Sequence, residues 1–148
     1  MTIHLHTAVL TLSMAATIAS SCSQSGSNKP ADDYSDRRTE MEAKAQTFLA
    51  EARTSFANGN HAAAKQRIET MRKDCYLAIT ARKEGILLMD SIDIEMARRE
   101  LVKADSTAQA AASPDAQAAF DEACKKVEFY ERKLKHDLRT LPHSGLKE

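Results

Sequence analysis

The stretch from His61 to about Ala104 contains no proline and a single glycine, Gly85. Proline and glycine are the residues that most often break a helix, so this run reads as helix throughout. As one rod it spans about 65 Å at 1.5 Å per residue. The other reading is two helices that meet at Gly85. A lone glycine inside a helix costs only about 1 kcal/mol. Its neighbours, Arg82-Lys83-Glu84 and Ile86-Leu87-Leu88, are not turn residues. The continuous helix is therefore the expectation.

Two shorter helices flank it. Met41, Ala45, Phe48, Ala52 and Phe56 recur at helical spacing, with Leu49 widening the stripe, and predict a helix over 35–57. Asn58-Gly59-Asn60 ends it with residues that tolerate the left-handed conformation of a helix stop. So short a loop predicts an antiparallel hairpin. On the next helix, Ala64, Ile68, Met71, Cys75 and Ala78 face back onto the first. Ser113-Pro114 starts the last helix, over 114–141, as N-cap and first helical residue. Its stripe is the most regular of all: Ala116, Phe120, Ala123, Val127, Tyr130, Leu134, Leu138 and Leu141. Acid-to-base pairs at i,i+4 decorate its outer side: Asp121–Lys125, Glu122–Lys126, Glu128–Arg132 and Glu131–Lys135.

The fold class is all-α. The expected architecture is an elongated antiparallel three-helix arrangement, with the 61–104 helix at the centre and the other two on its two halves. A compact four-helix bundle that turns at Gly85 is the alternative. Ile86-Leu87-Leu88-Met89 point nearly all round the axis and are expected at the centre of the core, while Asp90, Asp93, Glu95, Arg98 and Arg99 mark the wet side. The cysteines discriminate between the two architectures. A turn at Gly85 brings Cys75 and Cys124 to one level, where a disulfide becomes feasible; a straight central helix keeps them apart as free thiols.

Charge narrows the function. Lys and Arg number 21 and so do Asp and Glu, all of them beyond residue 21. A neutral balance argues against nucleic acid as a partner and against an electrostatic role on an anionic membrane. There is no Trp, and only three Tyr and four Phe, so the core is built of Leu, Ile, Met and Ala.

The N-terminus gives an address. Residues 7–19, TAVLTLSMAATIA, form an apolar run of signal-peptide length, too short for a comfortable membrane span. Small residues Ala19-Ser20-Ser21 precede Cys22, and SQSGSNKPADD follows with linker chemistry. This order resembles a bacterial lipoprotein signal, in which the cysteine becomes the first mature residue and is acylated on its thiol and amine. Ala19 stands where that pattern usually has Leu, and MTIHLH carries no Lys or Arg. The resemblance implies a signal peptide over 1–21, lipid attachment at Cys22, a flexible tether over 22–34, a helical domain over 35–141 and a tail over 142–148. The implied place is the bacterial cell envelope, anchored by lipid and facing the periplasm.

Two further resemblances concern the folded part. Phe48 to Met71 is similar to one tetratricopeptide-type hairpin: Ala52 and Ala64 sit at its small positions, Gly59-Asn60-His61 at its turn and Ile68 at a large core position. Glu51 replaces an apolar residue, no proline closes the second helix and no second copy follows. Solenoids need about three repeats, so no concave peptide groove is implied. The stretches MRKDCYLAITARKEGILLMDSIDIE and CKKVEFYERKLKHDLR resemble the uncharacterised small helical lipoproteins of Bacteroidetes. That family brings no specific activity.

Chemistry-bearing constellations are few. His61, His136 and His143 lack metal-ligand spacing to each other or to cysteine, and read as surface residues. Asp90 and Asp93 lie one turn apart, but acids on a wet helix face are common; Ser91 has no evident His-and-acid set. No catalytic residue, metal or cofactor is assigned. Tyr76, Leu77 and Ile79 fall partly off the main stripe, and either pack under the last helix or form an apolar surface for a partner. The expected function is that of a non-enzymatic scaffold or adaptor, tethered to the membrane through Cys22 and acting on a protein partner. The alternative is a self-associating, coiled-coil-like structural or chaperone protein.

Overall fold

The computed structural model describes residues 29–141, with side chains from Asp33 onward. Among these residues are four helices and no strand: α1 (Lys29–Ala57), α2 (His61–Asp74), α3 (Ile79–Ala111) and α4 (Pro114–Thr140). The all-α class holds. The expected signal peptide over 1–21, Cys22 and the expected tail over 142–148 lie outside the described residues. α1 starts at Lys29, so the expected tether over 22–34 gives way to helix six residues early. Proline is tolerated in a first helical turn, and Pro30 occupies one here.

The expected 61–104 helix is in fact two helices. Gly85 lies inside α3, as the continuous reading required, but the chain turns ten residues earlier, over Cys75–Ala78. The Cys75 amide closes α2 on the Met71 carbonyl at 2.9 Å, and Ala78 N–H then donates to Cys75 O at 3.1 Å. No glycine or proline marks this turn. It is held from another helix. Ala78 supplies no side-chain cap to α3, and the Glu42 carboxylate of α1 accepts from Thr80 N–H at 3.3 Å and Ala81 N–H at 2.6 Å instead. A carboxylate there satisfies orphan donors and meets the positive end of the helix dipole.

Gly85 therefore marks a close approach and not a turn. A Cβ there would lie 2.6 Å from Met71 Cε and 3.4 Å from Ile68 Cγ2. α2 and α3 form an antiparallel hairpin around this contact, with Lys65 paired to Asp93 further along. α1 and α2 form another around Asn58–Asn60, where the Asn60 side chain accepts from Ala63 N–H at 3.1 Å. The core lies among these three helices. Ala45, Leu49 and Ala52 of α1, Ala64, Ile68 and Met71 of α2, and Ala81 and Ile92 of α3 are fully buried, with Cys75 and Ala78 closing its end. The alanines let the backbones approach. Leu49, Ile68, Met71 and Ile92 supply the volume, each contributing about 1.5–3 kcal/mol of burial.

Ile86, Leu87, Leu88 and Met89 are only half-buried, so they are not the centre of the core. α4 packs against α3 alone, with no contact to α1 or α2. α3 is sandwiched over part of its length, and its edges stay open. Ala112, at φ 43°, takes the left-handed conformation that ends α3. Ser113 Oγ then accepts from Ala116 N–H at 3.2 Å to cap α4.

Candidate functional site

Two places combine unusual exposure or unusual burial with chemistry. The first is the α2–α3 turn. Tyr76 is 53% exposed and Ile79 45%, with Leu77 half-buried between them. Tyr76 and Ile79 are therefore not covered by α4. Tyr76 is held from both sides: Arg37 Nη2 of α1 donates to its hydroxyl at 3.4 Å, and Arg82 Nη1 donates to its carbonyl at 3.0 Å. The turn thus presents an aromatic and a branched aliphatic side chain to solvent on a fixed backbone. Tyr34 of α1 is also exposed, one turn before Arg37.

The second is the α3–α4 seam. Asp90 was read as a residue of the wet side, yet it is 1% exposed and among the most buried side chains of the protein. It points toward α4, where Lys133 Nζ donates to Oδ1. Lys133 also donates to Asp137 Oδ2 at 3.0 Å, and His136 Nδ1 lies 3.1 Å from Asp137 Oδ1. Oδ2 of Asp90 is buried without a hydrogen-bond partner. Burial pushes the Asp90 carboxyl above its ordinary range, against the pull of the Lys133 hydrogen bond. For Lys133 burial opposes the charged form, but hydrogen bonds to Asp90 and Asp137 outweigh it and hold the ammonium above its ordinary value. Hydrogen bonds from His136 and Lys133 lower Asp137 to about 2.

The pair of acids one turn apart is split. Asp90 turns to α4 and Asp93 to Lys65 of α2, so they do not converge on one reacting atom. Ser91 Oγ donates to the Leu87 carbonyl of its own helix at 2.9 Å. His61 is buried, not on the surface as expected, and meets the Phe56 ring edge-on with centroids 5.6 Å apart. His136 is exposed, and His143 lies outside the described residues. Among the described residues no group of three or more metal-ligating side chains converges.

Cys75 and Cys124 are free thiols. Cys75 is level with the first turn of α3, whereas Cys124 on α4 is level with about Leu101. Helical rise places them roughly 30 Å apart along α3. Burial raises the Cys75 thiol, with Lys44 pulling the other way, so it stays protonated and a poor nucleophile.

α4 uses its charges differently from the intrahelical pattern. Lys126 pairs with Glu100 and Glu131 with Arg98 at 2.8 Å, both across to α3. Glu128 and Arg132 keep the i,i+4 arrangement, at 3.9 Å. These pairs fix the register of α4 on α3. The apolar stripe of α4 is wider than α3 can cover. Ala116 and Ala123 are buried, Phe120, Val127, Tyr130 and Leu134 are half-buried, and Leu138 is 43% exposed. Phe129, off that stripe, is 56% exposed beside an open groove with Glu100, Ala104 and Lys126. Among the described residues no helix is long and apolar enough to cross a membrane.

Sequence reasoning missed the Asp90–Lys133 pair and the Glu42 cap. The first carried a signal: Asp90 sits in the same helical row as Ile86 and Ala97, amid Leu87, Met89, Ile92 and Ile94. The second carried none, since a cap borrowed from a helix 38 residues away has no local pattern. No known protein family, no curated protein and no solved structure matches the chain.

Proposed function

We propose that this protein is a non-enzymatic lipoprotein of the bacterial cell envelope, attached through an acylated Cys22 and acting as a helical scaffold or adaptor for a protein partner. The observation that carries the adaptor reading is α4. It is the most strongly patterned helix of the chain, yet it has one neighbour and leaves large apolar side chains half-covered. A helix surface of that kind is an economical place for a partner helix to dock, with apolar side chains as anchors and the flanking charges as a rim. The attachment reading rests on Ala19-Ser20-Ser21-Cys22 behind an apolar run and ahead of linker chemistry. A photocrosslinking residue at Leu138 or Phe129, introduced in cells, tests the adaptor reading. It should yield one discrete heteromeric adduct from the envelope, and the same residue at exposed Glu69 of α2 should yield none.

The second reading, self-association, is favoured by the apolar side chains of the same stripe, Leu134 and Leu138 beside Ile94, which an antiparallel copy of the same surface would cover. Light scattering separates the two. A monomer at micromolar concentration counts against self-association, and a concentration-dependent dimer favours it.

A further inference from the structure

The α3–α4 seam has two flanks, and they differ in charge. On one flank a groove runs between Ile94 of α3 and Leu134 and Leu138 of α4. Three cations and one acid complete its lining: Arg98, Lys135 and Arg139 against Glu131. Arg98 already holds Glu131 at 2.8 Å. Lys135 and Arg139 are exposed, and among the described residues neither forms an ion pair. The other flank, beside Phe129, is balanced, with Glu100 and Glu122 against Lys125 and Lys126.

The acids close to the groove do not cancel its excess. Glu128 faces Arg132 at 3.9 Å, and Glu95 faces Arg99 at 3.1 Å. Asp90 and Asp137 share Lys133. At about 3.6 residues per turn, Lys133 and Asp137 leave α4 on the opposite flank from Lys135 and Arg139. Glu84 and Asp93 turn to Arg53 of α1 and Lys65 of α2. With Glu128 and Arg132 counted in, the groove side still holds four cations, Arg98, Arg132, Lys135 and Arg139, against two acids, Glu128 and Glu131.

The apolar floor has the length of a short helix. Leu138 is 43% exposed, and Leu134 and Val127 are half-buried. From Val127 to Leu138 is about 16 Å, or three turns. On α3, Val102 lies one turn beyond Arg98 and two beyond Ile94, and it is 68% exposed.

We infer that this groove takes an amphipathic helix of a partner protein, with acidic residues on the borders of its apolar face. Apolar side chains one and two turns apart on that helix seat beside Ile94, Leu134 and Leu138, and Asp or Glu on its border meets Lys135 and Arg139. The inference rests on the adaptor reading above and names the chemistry of its partner. A second copy of this chain would set the cationic rim against itself, so the charge selects a different chain.

The test uses the chain from residue 22 onward with Cys22→Ser, which keeps every described residue and needs no detergent. Three labelled peptides of about 15 residues are the probes. One is an amphipathic helix with leucine at i, i+4, i+7 and i+11 and glutamate on both borders. The second has lysine for each glutamate, and the third has alanine for each leucine. Fluorescence anisotropy should show the acidic peptide binding at least about tenfold more tightly than the basic one, with salt narrowing the gap. The alanine peptide should not bind. Lys135→Gln and Arg139→Gln should each weaken the acidic peptide by about twofold to fivefold, and Leu138→Ser by about fivefold. Lys135→Glu with Arg139→Glu should turn the preference to the basic peptide. Lys73→Gln on α2 should change nothing, and circular dichroism should show all variants folded.

Equal affinity for the acidic and basic peptides, no binding of either, or an equal loss from Lys73→Gln would overturn the inference. So would a homodimer that Leu138→Ser dissociates, which makes a second copy the occupant. A chain ended at Leu141 that binds the acidic peptide at least about tenfold more tightly would overturn it too, since residues 142–148 would then fill the groove. The two readings fail separately. A discrete adduct at Leu138 in cells without the acidic preference removes the acidic helix and keeps the adaptor. The acidic preference without an adduct keeps the chemistry of the groove and removes the adaptor.

Discussion

Replacing Asp90 with asparagine isolates the energetics of the α3–α4 seam. The substitution keeps size and keeps an oxygen for Lys133, but removes the charge. In the folded protein the carboxylate has one oxygen satisfied by Lys133 and one, Oδ2, buried with no partner. Stranding a buried polar atom costs about 1–3 kcal/mol, more when it is charged. Lys133 does not become stranded in turn: its side chain is 40% exposed, and it retains Asp137 at 3.0 Å. Asparagine leaves its Nδ2 stranded where Oδ2 was, so only the buried charge is relieved, and Asp90→Asn should raise stability by about 1 kcal/mol at neutral pH, a shift of about 4–8 °C in Tm for a domain near 100 residues. The pH dependence gives a second reading. Burial holds the Asp90 carboxyl above its ordinary range, so the folded chain keeps that proton to higher pH than the unfolded chain. The contribution of Asp90 to stability is full below its unfolded pKa, about 3.9, and is lost as pH rises through the folded value. The advantage of asparagine should accordingly shrink to nothing as pH falls toward 4. Urea denaturation followed by circular dichroism, on both proteins across that range, measures it. A neutral-pH loss of stability in the variant, or a difference that ignores pH, would show that the Lys133 pair outweighs the burial penalty and would refute the reasoning.

Other perturbations test the remaining joints of the fold. Glu42→Ala removes the borrowed cap of α3 and should cost about 1–2 kcal/mol in chemical denaturation. Gly85→Leu has no space against Met71 and Ile68 and should cost about 3 kcal/mol, whereas Gly85→Ala should be near neutral, because a helix gain of about 1 kcal/mol offsets displacement of the flexible end of Met71. Ala112→Gly relieves a left-handed alanine and should raise Tm, by an amount equivalent to about 1 kcal/mol. Asp137, held at about 2 by His136 and Lys133, contributes stability above its unfolded pKa; this is lost as pH falls from about 4 toward 2, and His136→Ala should diminish that acid limb.

Periodicity made much of the fold legible. Every residue of the stripe Ala64, Ile68, Met71, Cys75 and Ala78 is buried, and Ala45, Leu49 and Ala52 face it as expected. The continuity of helix through Gly85 followed from its helix-forming neighbours. What escaped was a turn at Cys75–Ala78 that contains no glycine or proline. Its stability comes from Glu42, from the burial of Cys75 and Ala78, and from the Met71–Gly85 contact, all of them tertiary. Asp90 escaped for a related reason. A charge in an apolar row was assigned to water, whereas Lys133, 43 residues on, supplies the partner that permits burial. The surface at Tyr76, Leu77 and Ile79 was visible as residues off the main stripe.

The most direct measurement is the mass of the N-terminal peptide of the protein purified from envelope membranes. The account predicts a peptide that begins at Cys22 and carries acyl chains on its thiol and amine. A peptide that begins elsewhere, or Cys22 with a free thiol, would contradict it.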